Sequence, residues 1–460
     1  MYTHAWQNAV ILQSLIAIGA VLIAVSVLRV RFGRALLAAL LFNTLPVMKA
    51  PGFQSPVFVH DLLLPILVIV LLLRFSRVSH GLLALALMTL FLWPIIGVLV
   101  TVTHGATGHG YLTYLYRRLD LVLFLAVGTT VVAPKMTNDV LDTFMIVWIG
   151  MAAVGLAQYF GVVDVDFVIK DPGSAAGDSI LTDSAAQRGF MGLNRGAVGV
   201  WCSAVSAYCV AHLLLDRRPG SARVIIYTVA TALTATVVLF SGSRTGAVAC
   251  LAGVGYVAVV SLRHMRDLRT GRLMVFGTMA AAGAIYLIGP ALSVVGKRLD
   301  VQSAQGSLSS RLATQAKVIK YAFTHPEAAL FGNGHDTFQF RTALNTRLTH
   351  PHSEYIETLW SAGLPGLALY LVLLITLYRG IRPSGVGPDV LSIGARGMFF
   401  AGCVAGLAVG NLTVTSPRLA TYGITMVFVY GMLFAARRRS ASEPVPMPAV
   451  PTMQVTPLGA

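Results

Sequence analysis

The segment from His350 to Glu357 holds the side chains best suited to acid–base chemistry. It reads His350-Pro351-His352-Ser353-Glu354-Tyr355-Ile356-Glu357 and stands directly before a long apolar run. Because an imidazole titrates near neutral pH, a histidine at the head of a membrane helix suits general-base work, and Glu354 or Glu357 could orient it. Two alternatives stay open: a metal site on His350, His352 and Glu354, for which a turn gives poor geometry, and histidines that only pack at an interface.

Arginines form the second set of chemically suited residues. Several arginines are predicted to lie on the outward side of the membrane, where the orientation of the protein needs no positive charge. They are Arg188, Arg195, Arg244, Arg298, Arg311, Arg341, Arg347 and Arg418. The guanidinium group is a rigid fork of donors that matches phosphate oxygens. The set therefore indicates a phosphate or pyrophosphate group, although pairing with aspartates on the same loops would also explain single members.

Arg244 and Arg311 stand out by their surroundings. Arg244 lies in Ser241-Gly242-Ser243-Arg244-Thr245-Gly246, a short link between two apolar runs, where a charge is costly unless it faces a polar cavity. The alternative is an arginine that only snorkels to the interface. Arg311 lies on an amphipathic segment that belongs on the membrane or over a cavity mouth. Its apolar residues at helical spacing are Leu308, Leu312, Ala316, Ile319 and Phe323. Next, Thr324 to Glu327 predict a capping box for a short helix ending at Gly332.

Composition indicates which elements position these residues. Of the 460 residues, 56% are hydrophobic and only 11% are charged, whereas a soluble domain carries about 25% charged residues. A water-soluble globule and a disordered chain are both excluded. The long continuous apolar runs also exclude an outer-membrane barrel, whose strands alternate. The fold class is therefore an all-α polytopic membrane protein with a large outward loop containing an amphipathic helix.

The apolar runs predict twelve or thirteen transmembrane helices, since crossing the bilayer takes about 20 residues. The predicted spans are 9–28, 34–49, 57–74, 81–103, 118–134, 139–160, 195–215, 222–240, 245–262, 272–294, 356–378, 395–412 and 418–436. Basic residues collect on alternate loops, which assigns that side to the cytoplasm. Residues 1–438 form the membrane domain, with long extracytoplasmic loops at 161–194 and 296–355. The proline-rich residues 439–460 are predicted to be a disordered cytoplasmic tail.

The order of these motifs resembles the core of the O-antigen ligase and O-antigen polymerase superfamily over about residues 190–380. The motifs are the link around Arg244, Ser310-Arg311, His325-Pro326, Gly332-Asn333-Gly334, the segment His350 to Tyr355, and Gly363-Leu364-Pro365-Gly366. The resemblance implies a multi-pass glycosyltransferase of the bacterial cytoplasmic membrane. Such a protein moves a glycan from a polyprenyl pyrophosphate carrier to a glycan, lipid or protein acceptor on the extracytoplasmic face. It implies no cofactor, no metal and no nucleic acid, with membrane lipids as further partners.

The resemblance also assigns roles to residues. His352 would be the catalytic base, and Arg244 and Arg311 would hold the pyrophosphate, joined by Arg195 from a turn before its span. His350 and Glu354 would support them. The family usually has asparagine where this chain has Ser353. A second hypothesis from another class is a polytopic transporter or flippase for an anionic lipid-linked or small solute, with His352 as a proton relay.

Overall fold

The computed structural model is a bundle of helices with one short pair of strands. It describes residues 46–49, 56–58, 68, 71–73, 78–103, 110–131, 137–159, 162, 195–216, 220–241, 244–262, 301–334, 337–346, 348, 351, 353–381, 390–408 and 427–435. The predicted spans 9–28 and 272–294, nearly all of the predicted loop 161–194, and the predicted tail 439–460 lie outside the described residues.

Two strands come first in the described chain. Strand β1, Pro46–Lys49, pairs antiparallel with β2, Pro56–Phe58. The helical spans predicted over 34–49 and 57–74 are wrong at these residues. Proline lacks the N–H that a helix interior needs, whereas a short edge strand tolerates it at Pro46 and Pro56.

Twelve labelled helices follow within the described part of the chain. They are α1 His80–Leu87, which continues through a π-helical turn Met88–Leu92 into α2 Trp93–Thr103, then α3 Gly110–Val131, α4 Thr137–Tyr159, α5 Arg195–Leu215, α6 Ser221–Ser241, α7 Arg244–Leu262, α8 Val301–Thr324, α9 Pro326–Phe331, α10 Thr337–Leu344, α11 Glu354–Gly380 and α12 Val390–Ala408. Helix α3 begins eight residues before the predicted span 118–134. The other predicted spans here agree within about five residues, the usual error for helix ends read from sequence.

Among the described residues, four helical stretches are long and apolar enough to cross a membrane: His80–Val100, Ser221–Val238, Glu354–Gly380 and Val390–Leu407. Shorter apolar helices cover Phe144–Ala157, Gly199–Leu215 and Thr245–Ser261. The chain is therefore an integral membrane protein. The predicted count of twelve or thirteen spans is not reached in the described part of the chain.

Helix α5 forms the centre of the bundle. On one side Trp201 stacks on Phe144 and Trp148 of α4, with ring centroids 5.3 and 6.1 Å apart. On the other side small residues bring α7 and α12 close, since a Cβ on Gly253 would lie 2.8 Å from the Cβ of Ala401 and 3.0 Å from that of Ala207. Such small-residue contacts let membrane helices approach closely.

The contacts of α12 fix the directions of its neighbours. Gly394 and Gly397 approach Ala211 and Ala207 of α5 in reverse order, so α12 is antiparallel to α5. Gly397 and Ala401 likewise meet Val257 and Gly253 in reverse order, so α12 is antiparallel to α7 as well. Helices α5 and α7 are therefore parallel, and both begin at one end of the bundle, here named the upper end.

Polar contacts tie the helices together at the opposite, lower end. The Arg223 Nε donates to Asp142 Oδ2 at 2.8 Å, which joins α6 to α4. Arg396 donates from Nε to the carbonyl of Ile381 at 2.7 Å and lies over the ring of Tyr378. Ile381 follows the last residue of α11, so the positive charge of Arg396 also lies near the negative end of that helix's dipole.

Candidate functional site

The predicted pyrophosphate ligands Arg195 and Arg244 lie at the upper end. Each is the first residue of its helix, α5 or α7. With a rise of 1.5 Å per residue, they stand about 18 and 14 Å above the level where Ala207 meets Gly253. The backbone thus brings the two arginines to the same end of adjacent parallel helices, while their side chains lie outside what the structure describes.

Helix α11 is broken at the same end. Gly363 has φ 69° inside it, and Pro365 follows. Proline donates no N–H, so the Ser361 carbonyl lacks its helical partner, and the turn at Gly363 likewise frees the carbonyls on either side of Ser361. The break divides α11 into a short upper helix, which begins beside His352, and a long lower one.

Donors from elsewhere in the chain bind the freed carbonyls. The N–H of Asn333 donates to the Trp360 carbonyl at 2.7 Å, and that of Gly334 donates to the Ser361 carbonyl at 3.2 Å. The indole Nε1 of Trp93 donates to the Ala362 carbonyl at 2.6 Å. These three bonds, here named the kink clamp, satisfy the broken helix and fix its angle.

Glycines make this close approach possible. Gly332 has φ 79° and Gly363 has φ 69°, a region that disfavours other residues. A Cβ on Gly363 would lie 2.6 Å from the Ala329 carbonyl oxygen, and one on Gly97 would lie 2.9 Å from that of Phe331. The motif pieces Gly332-Asn333-Gly334 and Gly363-Leu364-Pro365-Gly366 therefore meet in space, and their shared role here is structural.

Trp360 anchors α8 and α10 to the upper half of α11. Its ring centroid lies 5.4 Å from that of Tyr321 and 5.1 Å from that of Phe340, within a cluster that also includes Val318. Burial raises the pKa of Tyr321, and the nearby Glu327 carboxylate adds to the rise. The phenol is therefore neutral at physiological pH and belongs to the packing of this unit.

Of the two expectations for this unit, the short helix is confirmed as α9, with Gly332 as its C-cap, and the capping box is not. The predicted capping box is wrong: α8 extends through Thr324, so the Thr324 hydroxyl bonds back to the Lys320 carbonyl at 3.0 Å. His325 is the N-cap of α9, but its side chain makes no capping bond to that helix. Lys317 makes a structural contact in the same unit. Its Nζ donates to the carbonyls of Leu344 and Asn345 at 3.0 and 2.9 Å, which caps the C-terminus of α10.

One hydrogen bond joins the helix of Arg311 to the segment of His352. The Gln315 Nε2 donates to the Pro351 carbonyl at 3.1 Å. Arg311 precedes Gln315 by four residues, so both lie on the same side of α8, and Arg311 is partly exposed. His350 and His352 lie outside the described residues, but Pro351 and Ser353, which flank His352, are described.

The start of α11 is held against the upper end of α12. Ser353 is the extended N-cap of α11, and its Oγ donates to the Gly406 carbonyl at 3.4 Å. The Tyr355 hydroxyl donates to the Cys403 carbonyl at 3.0 Å. Glu354, the predicted supporting carboxylate, is only 1% exposed. The residue after His352 thus serves to attach the helix.

Helix α3 holds two buried charges that were not predicted from the sequence. Arg118 and Asp120 are 2% and 0% exposed. The hydroxyl of Tyr370 in α11 interacts electrostatically with both Arg118 and Glu354. An Arg and an Asp at the start of a predicted span are rare enough in membrane helices to have signalled this cluster. Among the described residues, no group of His, Cys, Asp and Glu could hold a metal ion, and His350 and His352 are not among them.

Comparison with known families gives one match. Residues 229–371 match the profile of the O-antigen ligase family. No curated protein matches the chain. The matched region includes Arg244, Arg311 and His352 together with the kink clamp's acceptors, while Arg195 precedes it. The resemblance seen in the sequence is therefore confirmed over residues 229–371, which are similar to the O-antigen ligase family.

Proposed function

We propose that the protein is a membrane glycosyltransferase that moves a glycan from a polyprenyl pyrophosphate carrier to an acceptor hydroxyl. The reaction takes place at the upper end of the bundle, on the extracytoplasmic face of the bacterial cytoplasmic membrane. The O-antigen ligase domain supports the class of reaction. The observation that carries the site is the bond from Gln315 to Pro351, which holds the segment of the predicted base against the helix of Arg311.

The arginines stabilise the leaving group. Negative charge builds on the pyrophosphate as the anomeric C–O bond breaks, so cations placed there stabilise the transition state more than the ground state. Arg311 and Arg244 fill this role, with Arg195 as a third ligand. The positive ends of the dipoles of α5 and α7, at whose first residues Arg195 and Arg244 lie, favour the same anion.

His352 accepts the proton of the acceptor hydroxyl. The oxygen attacks the anomeric carbon as the pyrophosphate leaves from the opposite face, so the anomeric configuration inverts. Glu354 and His350 support the imidazole. No step needs a metal or a cofactor, because the carrier supplies a good leaving group and the arginines supply the charge.

The test compares glycan transfer with donor binding for the full chain in nanodiscs. His352→Ala should lower transfer by about 10²- to 10⁴-fold, the usual contribution of a general base. Binding of polyprenyl pyrophosphate should stay close to that of the parent, because the histidine acts on the acceptor. Unimpaired transfer in this variant would remove the base assignment.

The buried charges Arg118 and Asp120 favour a second candidate function, a transporter for an anionic lipid or solute. A transporter moves labelled lipid-linked glycan between leaflets of a vesicle without changing it. A transferase lengthens or relinks the glycan and leaves free carrier pyrophosphate. Measuring both products in the same vesicles separates the two functions.

A further inference from the structure

The apolar stripe predicted on α8 faces away from the protein. Among the residues of α8 whose side chains are described, 309–324, the buried ones are Thr314, Val318 and Ala322. Leu312 and Phe323, in contrast, are 55% and 73% exposed, and Ile319 between them is also exposed. Residues 312, 319 and 323 share one side of a helix with 3.6 residues per turn. The helix thus packs on the bundle with one side and leaves its more apolar side uncovered.

Exposed apolar side chains also occur on α9, the next helix in the chain. Leu330 and Phe331 are exposed although α9 packs tightly against the kink of α11. Together, Leu312, Ile319, Phe323, Leu330 and Phe331 form a surface here named the α8–α9 apolar face. Several large apolar side chains exposed on two consecutive helices favour a binding face over single exposed side chains.

The contacts of α9 set its depth relative to the membrane. A Cβ on Gly97 would lie 2.9 Å from the Phe331 carbonyl oxygen. Gly97 belongs to the stretch His80–Val100, which is long and apolar enough to cross a membrane, and lies about 4.5 Å from the end of that stretch at 1.5 Å per residue. The end of α9 is therefore level with the last turn of this apolar stretch, and exposed Leu99 and Val102 of α2 lie near that level.

Charge on α8 follows the pattern of an interfacial helix. Exposed Lys320 is next to Ile319, about 100° around the helix. A lysine there keeps its ammonium group among lipid headgroups while its stem lies along the apolar boundary. Neither a second copy of the chain nor a soluble partner explains why this face reaches the level of a membrane span.

We propose that the α8–α9 apolar face is embedded in the acyl-chain boundary of the leaflet at the upper end of the bundle, so that its partner is the bilayer itself. Arg311, about 100° from Leu312 on the same helix, then lies at headgroup depth. On the proposed function, that is the depth at which a polyprenyl carrier presents its pyrophosphate.

The test measures the depth of single labelled cysteines without any substrate. Ile319→Cys, Phe323→Cys and Phe331→Cys report on the face, and Lys320→Cys, one residue from Ile319, is the matched control. The full chain carries an environment-sensitive fluorophore in phosphatidylethanolamine–phosphatidylglycerol nanodiscs. The parent protein, labelled in parallel, gives the background from its four free cysteines, Cys202, Cys209, Cys250 and Cys403.

Lipids that carry a quencher on the part of the acyl chain nearest the headgroup should quench the Ile319, Phe323 and Phe331 labels several-fold more than the Lys320 label. Iodide in the water should show the reverse order. Face labels as accessible to iodide as the Lys320 label would overturn the proposal. Labels shielded from both quenchers would also overturn it, since protein would then cover the face. Fluorescence requires no turnover, so its outcome is independent of the transferase assay.

Discussion

The bond from Gln315 to Pro351 makes α8 the element that relates Arg311 to the predicted base. Arg311 is one turn from that bond and partly exposed. Arg341, in contrast, lies exposed on α10, in the same unit but within the helix that Lys317 caps. Both arginines carry the same charge, but Arg311 lies one turn from the residue that bonds to the segment of His352, whereas Arg341 lies on a different helix.

Arg311→Ala should weaken donor binding and transfer by about 10- to 100-fold, since a charge-assisted hydrogen bond contributes about 1.5–3 kcal/mol. Arg341→Ala, the matched control, should leave both close to those of the parent. Arg311→Lys should restore only part of the binding, because lysine cannot offer the bidentate fork. Equal losses in the Arg311 and Arg341 variants would contradict the assignment.

Residue types allow candidate chemistry to be assigned from the sequence, whereas they do not give the contacts. The side chains flanking His352 and the arginines that match phosphate could be selected as candidates from the sequence, because the chemistry of a side chain depends on its residue type. The structural use of Lys317 could not, since it depends on where α10 ends in space. Arg118 and Asp120 could have been found from the rarity of charge in a span.

Among the elements, the kink clamp couples three separate stretches of chain. Trp93 of α2 and the Asn333-Gly334 turn bind carbonyls of α11 at a break that Gly363 and Pro365 create. These contacts and the lower part of α11 together fix the position of the upper part of α11. His352 precedes the first residue of that upper part.

Trp93→Phe should lower the rate of transfer at saturating donor more than it raises the donor's KM. The change removes the bond to Ala362, and the upper part of α11 loses one of its fixed points. Trp148→Phe is a matched control, because it removes an indole bond of 2.9 Å to Thr234 away from the kink. Both variants should lose similar stability, about 1–3 kcal/mol. If both variants lose transfer only in proportion to their loss of stability, Trp93 has no positioning role.

Gly363→Ala should lower the midpoint of heat unfolding in detergent. The positive φ costs a side chain about 1–2 kcal/mol, and the new Cβ meets the Ala329 carbonyl. Gly255→Ala in α7 is the control, since a Cβ there meets nothing within 4 Å. It should be neutral or stabilising by up to about 1 kcal/mol. If Gly363→Ala proves as heat-resistant as Gly255→Ala, the kink relaxes freely and the clamp does not fix its angle.

Helix bounds were predictable because apolar runs of span length have few alternatives in lipid. Helix α5 begins and ends where it was predicted. The break inside α11 was not predicted, although Gly363 and Pro365 were noted as a motif. Its partners are about 30 and 270 residues away in sequence, and such pairings arise only from three-dimensional packing. The strands at Pro46 and Pro56 were missed because hydropathy outweighed the prolines.

For the whole molecule, the main result is that the predicted ligands share one end of the bundle. The antiparallel contacts of α12 place the first residues of α5 and α7 at the same end of the bundle, and the bond from Ser353 to Gly406 places the start of α11 there as well. Alternation of basic loops predicted this sidedness, since helices an even number of crossings apart begin on the same side.

A membrane-impermeant maleimide should label Arg341→Cys in intact cells and Gly220→Cys only after permeabilisation. Both positions are exposed, and a Cβ at Gly220 meets nothing within 4 Å. Gly220 lies between α5 and α6 at the lower end, predicted to be cytoplasmic. Labelling of Gly220→Cys from outside would reverse the orientation and remove the extracytoplasmic site.

The contact between Trp93 and Ala362 has a consequence for how the chain is made. The indole donor is synthesised 269 residues before its acceptor. During insertion, α2 therefore lies in the lipid without this partner until the ribosome has synthesised α11. Products that terminate before residue 354 would present this unfinished surface to membrane proteases and chaperones, so nonsense variants should be degraded instead of accumulating as partly active fragments.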